Sequence, residues 1–311
     1  MKLIKELVDG DRIIIQALVG QVSQGTNKSG SPYLNVELRD SSGAMNCKKW
    51  EIEDGDKDIL LPGNIVEVQL ECLTYNDSLQ GKIIKVLPVD IDNVDVTRFI
   101  KAPPIPKEEL VERFNKLVDS VKEPTLKKYL DYFIKKFGKT IYIAPAASSV
   151  HHEFSSGLLM HSVCLAEHAD YFAKFYPDID RDLLVTGALL HDFGKMIELE
   201  GPSVYHYTVE GKLLGHISIM CAEVRMATKE MGIEGEYPVL LEHMILSHHG
   251  QLEFGSPVMP LTREALLLSL IDNLDSKMLV LDKAYEDVKP GEFTQKIYPL
   301  DGRAFYKAKN K

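Results

Sequence analysis

Residues 183–195 read Leu-Leu-Val-Thr-Gly-Ala-Leu-Leu-His-Asp-Phe-Gly-Lys. A run of apolar and small residues ends abruptly in the ionisable pair His191-Asp192 and is followed by Lys195. Such a run predicts a buried helix, and a charged group at its end is costly unless it is paired or binds a metal ion. Working outward, the pattern recurs. Met244-Ile245-Leu246-Ser247 runs into His248-His249, and Ala265 to Ile271 runs into Asp272. His161 lies in the helix expected after Ser155-Ser156-Gly157, and His216 in Gly-Lys-Leu-Leu-Gly-His-Ile, 211–217. All ten histidines fall between His151 and His249, and the first 150 residues contain none.

The order His … His-Asp … Asp, carried by His161, His191, Asp192 and Asp272, resembles the HD superfamily of metal-dependent phosphohydrolases. The resemblance spans about residues 150–280. It implies a first ion held by His161, His191, Asp192 and Asp272, and a second held by Asp192, His216 and His248, with Asp192 bridging. Imidazole and carboxylate donors suit Mn, Fe, Co, Ni or Zn, and Mg less well. Water activated between two such ions attacks phosphorus in line, so no Ser or Cys nucleophile is needed. Lys195, four residues after His191 on a helix expected to continue through 182–199, is a candidate phosphate contact and is grouped with Asp192 and His249 as catalytic. His249 is a ligand or a general acid. His152 is a candidate for the cleft wall, His168 for a supporting or solvent-facing role, and His206 and His243 read as structural.

Residues 1–90 read as five strands. They are Ile13 to Val22, Tyr33 to Leu38, Ala44 to Trp50, Ile65 to Leu70, and Lys82 to Val86, separated by turn residues. A long first strand, a Gly/Ser-rich loop (Gly25 to Pro32) and a hairpin ending at Trp50 resemble an OB-fold. OB-folds hold single strands by stacking bases on aromatics beside basic side chains. Tyr33, Trp50 and Tyr75 with Lys48 are the candidates here, amid Lys28, Lys49, Lys82 and Lys85. Residues 1–100 hold 11 basic and 16 acidic side chains. Lys plus Arg is 36 against 46 Asp plus Glu in the whole chain, a formal charge of −10, which excludes a simple basic glove for nucleic acid.

Residues 91–106, with Pro103, Pro104 and Pro106, form a Pro-rich linker. A helical spacer (107–140), the HD segment (141–285) and a C-terminal tail (286–311) follow. Helices are expected at 109–121, 124–137, 158–175, 182–199, 212–231, 238–248 and 262–284. The four cysteines form no CxxC pair and read as reduced, and no signal or membrane segment is visible, so a cytoplasmic protein is expected. The expected fold class is therefore multidomain α and β, a small OB-like β-barrel followed by an all-α HD domain.

This domain order, together with His151-His152 and the Gly157-Leu158-Leu159 approach to His161, is similar to the YhaM family of 3′–5′ exoribonucleases. The resemblance implies removal of nucleotides from the 3′ ends of single-stranded RNA, with some activity on single-stranded DNA. Two divalent ions are implied, Mn²⁺ first, with Fe²⁺, Co²⁺ and Mg²⁺ as alternatives. The apolar surface of the spacer helices leaves a homo-oligomer open. The alternative is an HD-type phosphodiesterase or nucleotidase acting on small nucleotides, with the OB module serving assembly.

Overall fold

Alternation of apolar and polar side chains closes the N-terminal sheet. In β1 (Arg12–Thr26), β2 (Pro32–Asp40), β3 (Gly43–Lys49), β4 (Ile65–Tyr75) and β5 (Ser78–Pro88), inward residues such as Ile15, Val36, Met45, Val68 and Ile83 are buried, and their neighbours face out. The computed structural model describes all residues except 1, 28, 76–77, 91–93, 95, 100–104, 145–155, 202–204, 287 and 311, and the side chains of 96 and 97. The five strands form a closed barrel in the order β1-β2-β3-β5-β4, the OB arrangement that the turn order implies. β1 serves both ends of the sheet. Its first half pairs with β4 (Ile15 opposite Val68), its second half with β2 (Val22 opposite Val36), and an irregularity between Val19 and Val22 bends it between them. Closure leaves the barrel without an open edge. A short helix, α1 (Asp56–Ile59), joins β3 to β4 and is absent from the sequence expectation.

The second unit is helical. α2 (Lys107–Ser120) buries Leu110, Phe114, Leu117 and Val118, the one-face spacing of an amphipathic helix. α3 (Pro124–Phe137) opens with Pro124 at its first turn and with the Glu123 side chain accepting from Thr125 N. Then come α4 (Gly157–Ala173), α5 (Arg181–Leu190), α6 (Lys195–Glu198), α7 (Val209–Met231), α8 (Tyr237–Ser247) and α9 (Arg263–Glu286). The short strands β6 (Leu199–Glu200) and β7 (His206–Tyr207) pair with each other between α6 and α7.

The chain divides into residues 1–102 with 200–206, and 103–199 with 207–311. Residues 107–140 therefore share a unit with the ligand helices. Phe114, Tyr129, Leu130 and Phe133 belong to the same buried cluster as Leu183 to Leu190. α5 is buried along its whole length from Leu183 to Leu190, as an all-apolar helix must be.

Two expectations need correction. The helix expected over 182–199 stops at Leu190, because His191 to Gly194 turn before α6 begins. Gly194 is required by packing, not by its own helical angles (φ −57°, ψ −23°): a Cβ there would collide with the backbone carbonyl of His216, so α7 passes directly against it. The segment 286–311 is also more than a tail. Antiparallel bridges join Phe293 to Tyr306 and Ile297 to Arg303, and Thr294 and Leu300 are buried. Among the described residues, no helix is long and apolar enough to cross a membrane.

Candidate metal centre and nucleic-acid face

Five helices deliver the donors. α4 carries His161, the end of α5 carries His191 and Asp192, α7 carries His216, the end of α8 carries His248 and His249, and α9 carries Asp272. The α7 position depends on a break: Gly215 adopts φ 71° and ψ 153°, so the helix restarts at His216 with a new direction.

The donors form two sets that share Asp192. His161 Nε2 lies 3.2 Å from both His191 Nε2 and Asp272 Oδ1, and 3.5 Å from Asp192 Oδ2. His191 Nε2 is 3.4 Å from the same Oδ2. The other carboxylate oxygen, Asp192 Oδ1, faces His216 Nε2 at 3.3 Å and His248 Nε2 at 3.6 Å. His249 offers one ligand atom within 4.8 Å of those of His216 and His248.

Each of these histidines has its Nδ1 against an oxygen that can only accept. The partners are the carbonyls of Ala188 for His191 (2.9 Å), Ile245 for His248 (2.7 Å) and Phe254 for His249 (2.7 Å). For the other two they are carboxylates: Asp275 Oδ2 for His161 (2.8 Å) and Glu198 Oε2 for His216 (3.2 Å). Nδ1 must therefore carry a proton in all five, so the nitrogen that can turn a lone pair to a cation at the centre is Nε2. The consequence is visible at Asp192 Oδ1, His216 Nε2 and His248 Nε2. All three are buried acceptors without a hydrogen-bond partner, converging on one point. Unpaired acceptors facing one another repel, and a cation between them removes the conflict. The donor set fits a divalent transition ion on this ground as well as by ligand type.

The electrostatics agree. Burial would push His161 down, but Asp272 and Asp275 outweigh it and lift it to about 10. Asp192 is driven well below its ordinary value despite its burial, chiefly by Lys195 and His191. The field at the first set thus favours positive charge. At the second set burial, with His191 and His249 nearby, keeps His248 far below its ordinary value, hence neutral and able to donate a lone pair. Burial also lowers His249.

Lys195 reaches the centre by a different route from the continuing helix. Its Nζ lies 2.7 Å from Asp192 Oδ2 across the turn. Glu198 and Asp275 were not singled out in the sequence. Glu198 accepts from the backbone N of His216 at 3.0 Å as well as from its ring, so it fixes the restart of α7. Glu198, three residues after Lys195, and Asp275, three after Asp272, lie one helical turn beyond motif residues; that spacing was the available signal. His151 and His152 lie outside the described residues. His168 is exposed, His243 accepts from Leu261 N at 2.8 Å, and His206 pairs with Glu200 at 3.3 Å, all apart from the donor sets.

In the barrel, Tyr33 of β2 and Trp50 at the end of β3 meet with ring centroids 4.6 Å apart, and Trp50 is 40% exposed. Lys48 Nζ sits 5.2 Å from the Tyr33 centroid and 5.1 Å from that of Trp50. Beside them a groove of about 360 Å³ is lined by Ser23, Asn35, Asn46, Lys48 and Gln80 among others. Tyr75, at the end of β4, is 64% exposed. Lys49 does not belong with this group. Strand alternation turns it into the barrel, where Nζ donates to Ile84 O at 3.0 Å and lies 3.5 Å from Asp56. Lys28 lies outside the described residues.

The HD domain family model matches residues 158–277. The chain is 41% identical over 299 residues to the 3′-5′ exoribonuclease YhaM of Geobacillus sp., covering 96% of this chain and 92% of that protein. It is 42% identical to the YhaM of Oceanobacillus iheyensis (93% and 92% covered) and 40% identical to that of Bacillus subtilis (96% and 95%). Among solved structures, the second OB-fold domain of replication protein A from Methanococcus maripaludis matches 29% of this chain and 94% of its own, at 18% identity and a TM-score of 0.24.

Proposed function

The chain belongs to the YhaM family of 3′–5′ exoribonucleases, and from that premise we propose that it trims single-stranded RNA from the 3′ end at a dinuclear metal centre shared by His161, His191, Asp192, His216, His248, His249 and Asp272. It is a hydrolase of phosphodiester bonds. The observation that carries the dinuclear reading is the division of Asp192: one oxygen faces His161 and His191, and the other faces His216 and His248. A divalent pair bound there supplies an ionised water as nucleophile and charge neutralisation on the phosphate.

The chain's own residues do the rest. Asp192 splits its carboxylate between the two positions. Lys195 balances that buried carboxylate and has further N–H groups to offer a phosphate oxygen. His249 directs its Nδ1 proton to Phe254 O, which leaves a lone pair rather than a proton at Nε2. Together with its lowered pKa, this suits a ligand or a base and argues against a general acid. The mixed imidazole and carboxylate donors suit Mn²⁺, with Fe²⁺ and Co²⁺ also matched and Mg²⁺ less so. On the barrel, Tyr33, Trp50, Lys48 and Tyr75 provide stacking and a cation for a single strand, RNA or DNA. The four cysteines are free thiols, in keeping with a reducing cytoplasmic setting.

Incubation with Mn²⁺ and 5′-labelled single-stranded RNA tests the reading. A descending ladder of products shortened from the 3′ end is expected. Turnover of small nucleotides with intact RNA left at full length would sink it.

A further inference from the structure

Residues 287–311 have a composition unlike the rest of the chain. They hold six basic side chains against three acidic, whereas the preceding 286 residues hold 30 against 43. The same short segment displays large rings. Phe293 is 66% exposed, Tyr298 86% and Tyr306 46%. Three such rings in one segment contribute little to a core and mark a surface made for contact.

The rings are held in place. The bridge between Phe293 and Tyr306 brings their centroids to 5.2 Å. Buried Thr294 and Leu300 pin the inner side, and Thr294 Oγ1 accepts from Phe305 N at 3.0 Å. Lys307 Nζ donates to the carbonyls of Tyr285 and Val288, each at 2.7 Å, and the Tyr285 hydroxyl donates to Tyr306 O at 3.0 Å. These bonds lock the segment to the C-terminal end of α9, the helix that also carries Asp272. The two ends of that stretch are separated by about 20 Å of helix. Arg303 lies 5.2 Å from the Phe305 ring centroid, and Lys289 and Lys296 are exposed.

We propose that residues 288–310 form a second single-strand contact, in which Phe293, Tyr306 and Tyr298 stack unpaired bases and Lys289, Lys296 and Arg303 meet the phosphates. As on the barrel face, two rings are in contact, and exposed basic side chains lie in the same short segment. Ordered rings avoid the entropy cost of immobilising side chains on binding. A polyanion is the occupant favoured by charge, because a self-complementary contact with a second copy would set this positive segment against itself. The inference rests on RNA being the substrate.

The test uses the full-length protein with Asp192→Ala, so that bound RNA survives, and a single-stranded oligoribonucleotide. Phe293→Ala with Tyr306→Ala is expected to weaken binding about tenfold or more. Lys289→Gln with Lys296→Gln, both at exposed positions, is expected to flatten the slope of log affinity against log salt by about 1.4. That second pair keeps the test valid should the aromatic pair disturb the fold, which circular dichroism reads. Affinity and salt slope both unchanged would overturn the inference. So would variants that dissolve a larger assembly in sedimentation without altering RNA affinity, since the segment would then be a contact between copies. Failure of the underlying reading looks different: the parent Asp192→Ala protein would itself not bind RNA.

Discussion

On the barrel, Tyr33, Trp50 and Lys48 meet on an exposed face with rings and a cation already in contact. In the helical unit, His161, His191, Asp192, His248 and Asp272 are buried, and three acceptors among the donor sets have no partner. Both arrangements carry unmet interactions, of opposite kinds. An exposed ring loses little by waiting for a ligand, because water covers it. A buried unpaired acceptor costs of order 1–3 kcal/mol, so the fold must hold it there against relaxation. If the proposed function holds, the exposed barrel face suits loose and tolerant binding, and the buried donor sets suit ions held rigidly in a packed core.

The comparison breaks most directly at Asp192. Asp192→Ala is expected to lower RNA hydrolysis by about 10³-fold or more, with the helical signature retained in circular dichroism. Full activity would remove the shared carboxylate from the centre. Next in size is the core that supports it. Phe133→Ala, at a fully buried ring, is expected to cost about 3–5 kcal/mol in denaturant melting. Trp50→Ala is expected to cost far less, and an equal loss would make that ring core rather than display.

Smaller effects sharpen the picture. Glu198→Ala frees the His216 ring and the restart of α7, and should weaken Mn²⁺ binding about 10- to 100-fold, read from metal-dependent melting, with Glu198→Gln recovering part of it. Unchanged metal affinity would reduce Glu198 to a local brace. Trp50→Ala should weaken strand binding by about 1–3 kcal/mol per base stacked, with a smaller loss on a small activated phosphodiester. Equal losses on both would make the barrel face structural.

The smallest effect concerns acid. Asp182 accepts from Lys122 N at 2.6 Å, Glu123 N at 2.9 Å and Arg181 Nη1 at 2.8 Å. Burial opposes ionisation, but these donors outweigh it and hold the carboxyl below its ordinary 3.8. As pH falls, the unfolded chain takes up that proton first. The contribution is therefore present above about pH 3.8 and lost progressively below it. Asp182→Asn should flatten that acid limb in melting experiments, and an unchanged limb would assign acid sensitivity elsewhere.

Much of this was readable from local pattern. The alternation in Tyr33-Leu34-Asn35-Val36-Glu37-Leu38 places a strand, and Lys49 already follows its rule: sited between Lys48 and Trp50, it points inward with Met45 and Cys47. The apolar runs ending at His191, His248 and Asp272 locate the donors that the fold assembles. The need for glycine at position 194 was not readable, because the collision it avoids involves the His216 backbone, a partner with no mark near residue 194. The order in residues 288–310 escaped because it too depends on distant partners, bonds back to Tyr285 and Val288.

The sequence alone determined the order of the five barrel strands and of the long helices, the family, and which histidines and aspartates to suspect, because periodicity and motif order are properties of neighbours along the chain. Only the tertiary structure decided which oxygen of Asp192 faces which imidazoles, that Asp275 and Glu198 hold His161 and His216, and that Tyr33 stacks on Trp50. Those pairings join residues separated by up to 114 positions, and the geometry of packed helices and a closed barrel sets them.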